Sequence, residues 1–159
     1  MHKLNHGILA KKVLAFSTSV LVALLFALNS PVVAKDKPID WDKRLVKARQ
    51  LMDTNNVEEA EKIYDAELKK HPESAAVRTD LGKCYKKRGH QMQAKASFKR
   101  ATEVEPTYAE AFYELGAMQE ADKEYELAVG SYETFLQLAP YADRRESVKD
   151  RINFCKGNL

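Results

Sequence analysis

Cys84 and His90 are the pair whose side chains most resemble a catalytic unit, since a thiol beside an imidazole is the start of nucleophilic catalysis. Six positions separate them, and no third group stands where it would orient the imidazole. His71, next to Pro72, is the only other histidine beyond residue 34, and neither histidine keeps a metal-ligand spacing to Cys, Asp or Glu. No glycine-rich phosphate loop is present, and the whole chain has six glycines. These absences argue against an enzyme and against a metal or cofactor. The lysines offer a different chemistry. Thr79, Lys83 and Lys86, with Lys87, share one helical face, and such a row is complementary to carboxylates on a partner. The same charges also serve the simpler purpose of solvating an exposed helix.

The elements that must hold these residues follow a period. VEPTYAEAFYELG at 104–116 repeats the layout of KHPESAAVRTDLG at 70–82, and Pro72, Pro106 and Pro140 are each 34 positions apart. The chain from 41 to 142 divides into 41–74, 75–108 and 109–142. Small residues recur in register at Ala48, Gly82 and Gly116, and again at Ala60, Ala94 and Ala128; aromatics recur at Tyr64, Phe98 and Tyr132. Apolar residues return at three- and four-residue steps, as in Val57, Ala60, Ile63, Tyr64 and Leu68, so each unit reads as two helices of about 13 residues. Thr54-Asn55-Asn56, Gly89-His90 and Asp122-Lys123-Glu124 separate the two helices. Asn56 with Glu59 three residues later predicts a capping box. Small side chains let two antiparallel helices nest, the aromatic fills the space toward the next unit, and proline ends the second helix.

Residues 1–34 read as a secretory leader. Lys3, Lys11 and Lys12 form a positive start, Val13 to Leu28 an apolar run, and Val32 and Ala34 a small-residue cleavage site. The run of 16 residues is short against the about 20 a spanning helix needs, and an uncleaved anchor is the alternative. The leader takes three lysines and no acid, so 23 basic and 23 acidic residues remain in a chain of about 125 residues, enough for one domain. That neutral balance, together with export, excludes nucleic acid as a partner although the whole chain is +3. Residues 35–40 form a short linker.

The 34-residue spacing, Leu81-Gly82 and Leu115-Gly116, the alanines, the aromatics and the closing prolines resemble the tetratricopeptide repeat. The resemblance implies an all-α fold: a right-handed superhelical stack of three helical hairpins, with 143–159 as a C-terminal capping helix and seven helices in all. The first repeat departs from the family pattern at Arg44, Lys47 and Glu67. In the cap, Val148, Ile152 and Cys155 form an apolar stripe among charges.

The resemblance further implies a protein-binding scaffold whose first helices line a concave groove. That face comprises Leu45, Arg49 and Met52 from the first repeat, Thr79, Lys83 and Lys86 from the second, Glu110, Tyr113, Glu114, Ala117 and Glu120 from the third, and Arg144 and Arg151 from the cap. Its expected charge is basic in the middle, acidic toward the third repeat and basic again at the cap. Tyr113 is either a contact for a partner or packing between repeats. Some family members clamp a C-terminal carboxylate, but Leu45, Ala76, Thr79 and Asp80 stand at the matching positions, and no such clamp is expected. With helices 8–10 Å apart, Cys84 and Cys155 are on the order of 20 Å from each other, too far for the about 7 Å a disulfide spans, so both are expected as buried thiols, with an intermolecular bridge through Cys155 as the alternative. The expected protein is a monomeric, non-enzymatic adaptor in the bacterial periplasm, with no membrane contact after cleavage at Ala34. A secreted protein and a self-associating structural module are the alternatives.

Overall fold

The turn residues show most directly how the repeat is built. Asn55, Gly89 and Lys123 are each left-handed, at φ 63°, 78° and 62°, and they stand one period apart. Around each, two backbone bonds close the preceding helix. Asn55 donates to Met52, Gly89 to Lys86 and Lys123 to Glu120, at 3.2, 3.1 and 3.0 Å. The following residues, Asn56, His90 and Glu124, donate five residues back to Leu51, Tyr85 and Gln119 at 2.7, 2.9 and 2.8 Å. This is the paired bonding of a Schellman C-cap. It also explains why the capping box expected at Asn56 does not form. The Asn56 backbone N–H that Glu59 would accept from is already given to Leu51, and the Asn56 amide turns to Thr54 Oγ1 at 3.2 Å.

The computed structural model describes residues 43–159, so the leader read over 1–34 and the linker over 35–40 lie outside the described residues. Seven helices and no strand occur among the described residues: α1 Lys43–Asp53, α2 Val57–Lys70, α3 Ala75–Lys87, α4 Gln91–Val104, α5 Ala109–Ala121, α6 Tyr125–Leu138 and α7 Arg145–Lys156. Each left-handed turn joins the two helices of a hairpin, and the prolines fall in the turns between hairpins. Ser74 caps α3 by accepting the Val77 N–H at 3.3 Å.

Small-against-aromatic packing sets the spacing within a hairpin. A Cβ on Gly82 would sit 2.6 Å from the Phe98 ring, and one on Gly116 would sit 2.8 Å from Tyr132. The helix backbones thus approach closely over the rings. Phe98 and Tyr132 are fully buried, and each also meets the next element along the chain: Phe98 joins Leu115 and Met118 of α5, and Tyr132 joins Val148 and Ile152 of α7. α7 buries Val148, Ile152 and Cys155 on the last hairpin, which is the stripe the sequence placed there. α3 packs directly on α5, whereas no two second helices come as close. The stack therefore bends toward its first helices, and α1, α3, α5 and α7 share the inner face.

Candidate partner-binding face

The charges on this inner face bond to one another across neighbouring helices. Arg49 on α1 reaches Asp80 on α3 through Nε and Nη2, at 3.2 and 3.1 Å. Lys83 on α3 bonds Glu110 on α5 at 2.8 Å and lies 3.9 Å from both Asp80 and Glu114. Lys86 bonds Glu114. From the cap, Arg144 reaches Glu110 at 3.3 Å, and Arg151 donates through Nε to Glu120 at 2.9 Å and to the Tyr132 hydroxyl at 2.7 Å. The Tyr132 hydroxyl in turn donates to Glu120 at 2.8 Å. The basic middle and acidic third repeat expected from sequence are therefore the two sides of one ladder of ion pairs.

Burial shapes the chemistry here. Removal from water pushes the Asp80 carboxyl above its ordinary range, against the opposing pull of Arg49 and Lys83. Tyr108 rises to about 12, chiefly by burial and then by the nearby Asp80 charge. The Tyr132 hydroxyl is raised by burial and by its bond to Glu120. The two tyrosine hydroxyls hold their protons at neutral pH, and that of Tyr132 acts as a fixed donor to Glu120.

Not every residue assigned to the face presents surface. Leu45 and Thr79 are buried and offer a partner nothing to touch, because both point into the hairpin packing. Glu114 is buried beneath its lysines. Arg49, Met52, Lys83, Lys86, Glu110, Ala117, Glu120 and Arg151 are half-buried, and Arg144 is exposed. Tyr113 is half-buried as well: its ring meets Tyr132 and Phe135 at centroid distances of 6.2 and 5.5 Å, and the Arg144 guanidinium lies 4.4 Å over it. It is a packing residue with one edge left to solvent. Sequence reasoning left Asp80 out of the face, although Asp80 bonds Arg49 across the α1–α3 step. The available signal was spacing, because Arg49–Asp80, Lys83–Glu114 and Glu120–Arg151 are each 31 apart, one period less the three residues that keep a side chain on the same helical face.

Cys84 and His90 meet different neighbours. Cys84 is buried with Sγ 3.2 Å from Met52 Sδ, and burial pushes its thiol up to about 12, while His90 stacks on Tyr85 at 6.4 Å. Both Cys84 and Cys155 are free and buried. Among the described residues, no group of three or more His, Cys, Asp or Glu could hold a metal ion.

Residues 45–89 and 85–143 each match the sequence profile of the tetratricopeptide repeat. The chain belongs to the tetratricopeptide repeat family. Among curated relatives of this tetratricopeptide repeat protein, the Hsp70-Hsp90 organizing protein of Triticum aestivum is 26% identical over 114 residues, covering 72% of this chain and 19% of that protein. The chain thus spans about a fifth of the length of the curated relatives it matches. Two solved structures share the fold. The first tetratricopeptide domain of Spaghetti (RPAP3), bound to the HSP90 peptide SRMEEVD, aligns with TM-score 0.65 at 18% identity over 72% of this chain and 88% of that one. The type III secretion translocator chaperone SycD of Yersinia enterocolitica aligns with TM-score 0.66 at 14% identity over 72% and 81%.

Proposed function

We propose that this tetratricopeptide repeat protein is an exported adaptor that holds a partner protein along its inner face and catalyses no reaction of its own. The observation that carries the proposal is the ladder from Arg49 to Arg151, which fixes charged side chains of four successive first helices side by side in one array. Side chains already held by neighbours lose little freedom when a partner binds, which lowers the entropic cost of association. The related structures point the same way: one holds a peptide, and another is named as a chaperone of translocators. A chain-end clamp of the kind that suits SRMEEVD is not part of this reading, because Asp80, Glu110 and Glu114 intervene among the cations. The reading includes export, with the leader removed after Ala34 and the chain from Lys35 onward acting in the periplasm.

Site-specific photo-crosslinking in cells tests this. A crosslinker replacing Ala117, on the inner side of α5, is expected to capture a partner, whereas one replacing the exposed Ala96 on α4 is not. Capture from Ala96 alone would move the interface to the outer face. Capture of a second copy of the chain from Ala117 would replace the adaptor with a self-assembling module. Intact-mass measurement of the same protein from the periplasmic fraction should give a chain starting at Lys35, and a retained leader would reject the export reading.

A further inference from the structure

We propose that a second copy of this chain docks, about a two-fold axis, on the apolar patch formed by Leu127 near the start of α6 and by Phe154 and Leu159 at the C-terminal end. This replaces the monomer expected from sequence. None of the patch's side chains bonds to the ladder from Arg49 to Arg151, so the proposal does not rest on the adaptor reading.

Leu127 is 57% exposed, Phe154 54% and Leu159 75%, although α7 buries Val148, Ile152 and Cys155 close by. The three form one patch. The Phe154 ring meets Tyr125 edge-on at 6.0 Å, which joins the end of α7 to the first turn of α6. Tyr125, Leu127 and Leu159 then line one shallow cavity of about 390 Å³. Three such side chains, each more than half in water, present on the order of 300 Å² of apolar surface, the size at which a patch on a monomer is often functional.

The charges around the cavity select the occupant. Glu124 on its wall is bonded to Lys95 at 2.6 Å, and Lys156 on α7 is bonded to Glu133 at 2.8 Å. Lys123 and Glu126 also line the cavity; both are exposed, and neither charge is paired among the described residues. One is basic and the other acidic. A surface of a single sign would satisfy one and repel the other. A second copy turned about a two-fold axis brings its Glu126 to Lys123 and its Lys123 to Glu126, because in such a contact residue i meets j wherever j meets i. The leucines and Phe154 then leave water against their own counterparts. Two patches of this size fall short of the about 1,200 Å² of a standard interface, so the dimer is weak and depends on concentration. Cys155 is fully buried and free, so the contact needs no disulfide.

Sedimentation equilibrium of the purified full chain over a range of concentrations tests the proposal. A monomer–dimer equilibrium is expected, with a Kd on the order of 10–100 μM and no response to reductant. Leu127→Ser and Phe154→Ser, both at exposed positions, should each weaken it about tenfold while helical circular dichroism is unchanged. Lys123→Glu and Glu126→Lys should each weaken it severalfold. Mixing those two variants should restore a dimer, because each copy then offers the sign that the other lacks. A chain that stays monomeric at about 1 mM would overturn the proposal and leave the patch to an unlike partner. Association that survives both serine variants, or that reductant abolishes, would place the contact elsewhere and overturn it as well. A mixture that pairs no better than either charge variant alone would reject the two-fold match.

Discussion

The Arg44 guanidinium lies 3.1 Å from the buried carboxylate of Glu67, and these are two of the residues at which the first repeat departs from its family. Glu67 stands where the second repeat buries Ala101, and Arg44 where the third has Phe112. The departures offset each other: Glu67, only 3% exposed, is held by Arg44 from α1 and by Lys70 at 2.8 Å from its own helix. Removing Arg44 leaves the buried carboxylate with one cation fewer, whereas removing Glu67 leaves no buried charge behind. Arg44→Ala should therefore cost about 1–3 kcal/mol and Glu67→Ala less. The double variant should show a coupling of about 0.5–3 kcal/mol in urea denaturation. An Arg44→Ala variant no less stable than Glu67→Ala would mean that the pair does not hold the first hairpin.

The same pair gives a pH dependence with a definite sign. Hydrogen bonds from Lys70 and then Arg44 hold the Glu67 carboxyl below its ordinary 4.5, against burial, which opposes them. A depressed carboxylate contributes stability that is present above its unfolded pKa and is lost as pH falls through the lower, folded value. The loss belongs to the acid side of 4.5. Glu67→Gln removes it, so the gap in denaturation midpoint between the native chain and this variant should narrow from about pH 6 to about pH 3. A gap that widens on acidification would reverse the assignment.

Spacing made much of this legible. Proline, small residues and aromatics at one interval fix seven helices and the pairing within each hairpin, because a small residue and a ring must meet wherever two helices nest. The turns were less legible. Gly89 and Asn55 are residue types that suit a left-handed position, while Lys123 adopts it because the period demands the same C-cap three times. The face was half legible: its charges could be named, but their mutual pairing depends on helix-to-helix register that composition does not show. Tyr113 was undecidable from sequence, since the Arg144 that covers it comes from the cap beyond the third repeat.

Two glycines separate packing from propensity. Gly82→Ala places a Cβ against the buried Phe98 ring, which should cost about 1–3 kcal/mol and outweigh the about 1 kcal/mol that alanine gains over glycine in a helix. Gly130 lies in α6 with nothing within 4 Å of a Cβ, so Gly130→Ala should stabilise by about 0.5–1 kcal/mol. Thermal melts of the two variants should move in opposite directions. A Gly82→Ala variant that melts higher than the native chain would refute close packing over Phe98.

Lys123 carries a side chain where the turn calls for glycine. A non-glycine residue in the left-handed region costs about 1–2 kcal/mol, and the side-chain amide that helps asparagine tolerate it at Asn55 is missing here. Lys123→Gly should raise stability by about 1 kcal/mol, whereas Gly89→Ala at the matching turn should lower it by a similar amount. Chemical denaturation of both variants checks the pair, and a destabilised Lys123→Gly would show that its side chain does more than occupy the turn.

Thr79 tests the interior of the face. It is fully buried, and its hydroxyl has no hydrogen-bond partner among the described residues. A buried polar group left unsatisfied costs about 1–3 kcal/mol, so replacing it with a side chain of the same shape removes the penalty and keeps the packing. Valine has that shape and the same branching at Cβ. Thr79→Val should therefore stabilise the chain by about 1 kcal/mol, read from the urea midpoint at unchanged slope. It should leave partner capture at Ala117 intact, since Thr79 presents no surface. A variant that gains stability but loses its partner would mean that the stack opens at α3 when it binds, exposing a hydroxyl that the closed form hides.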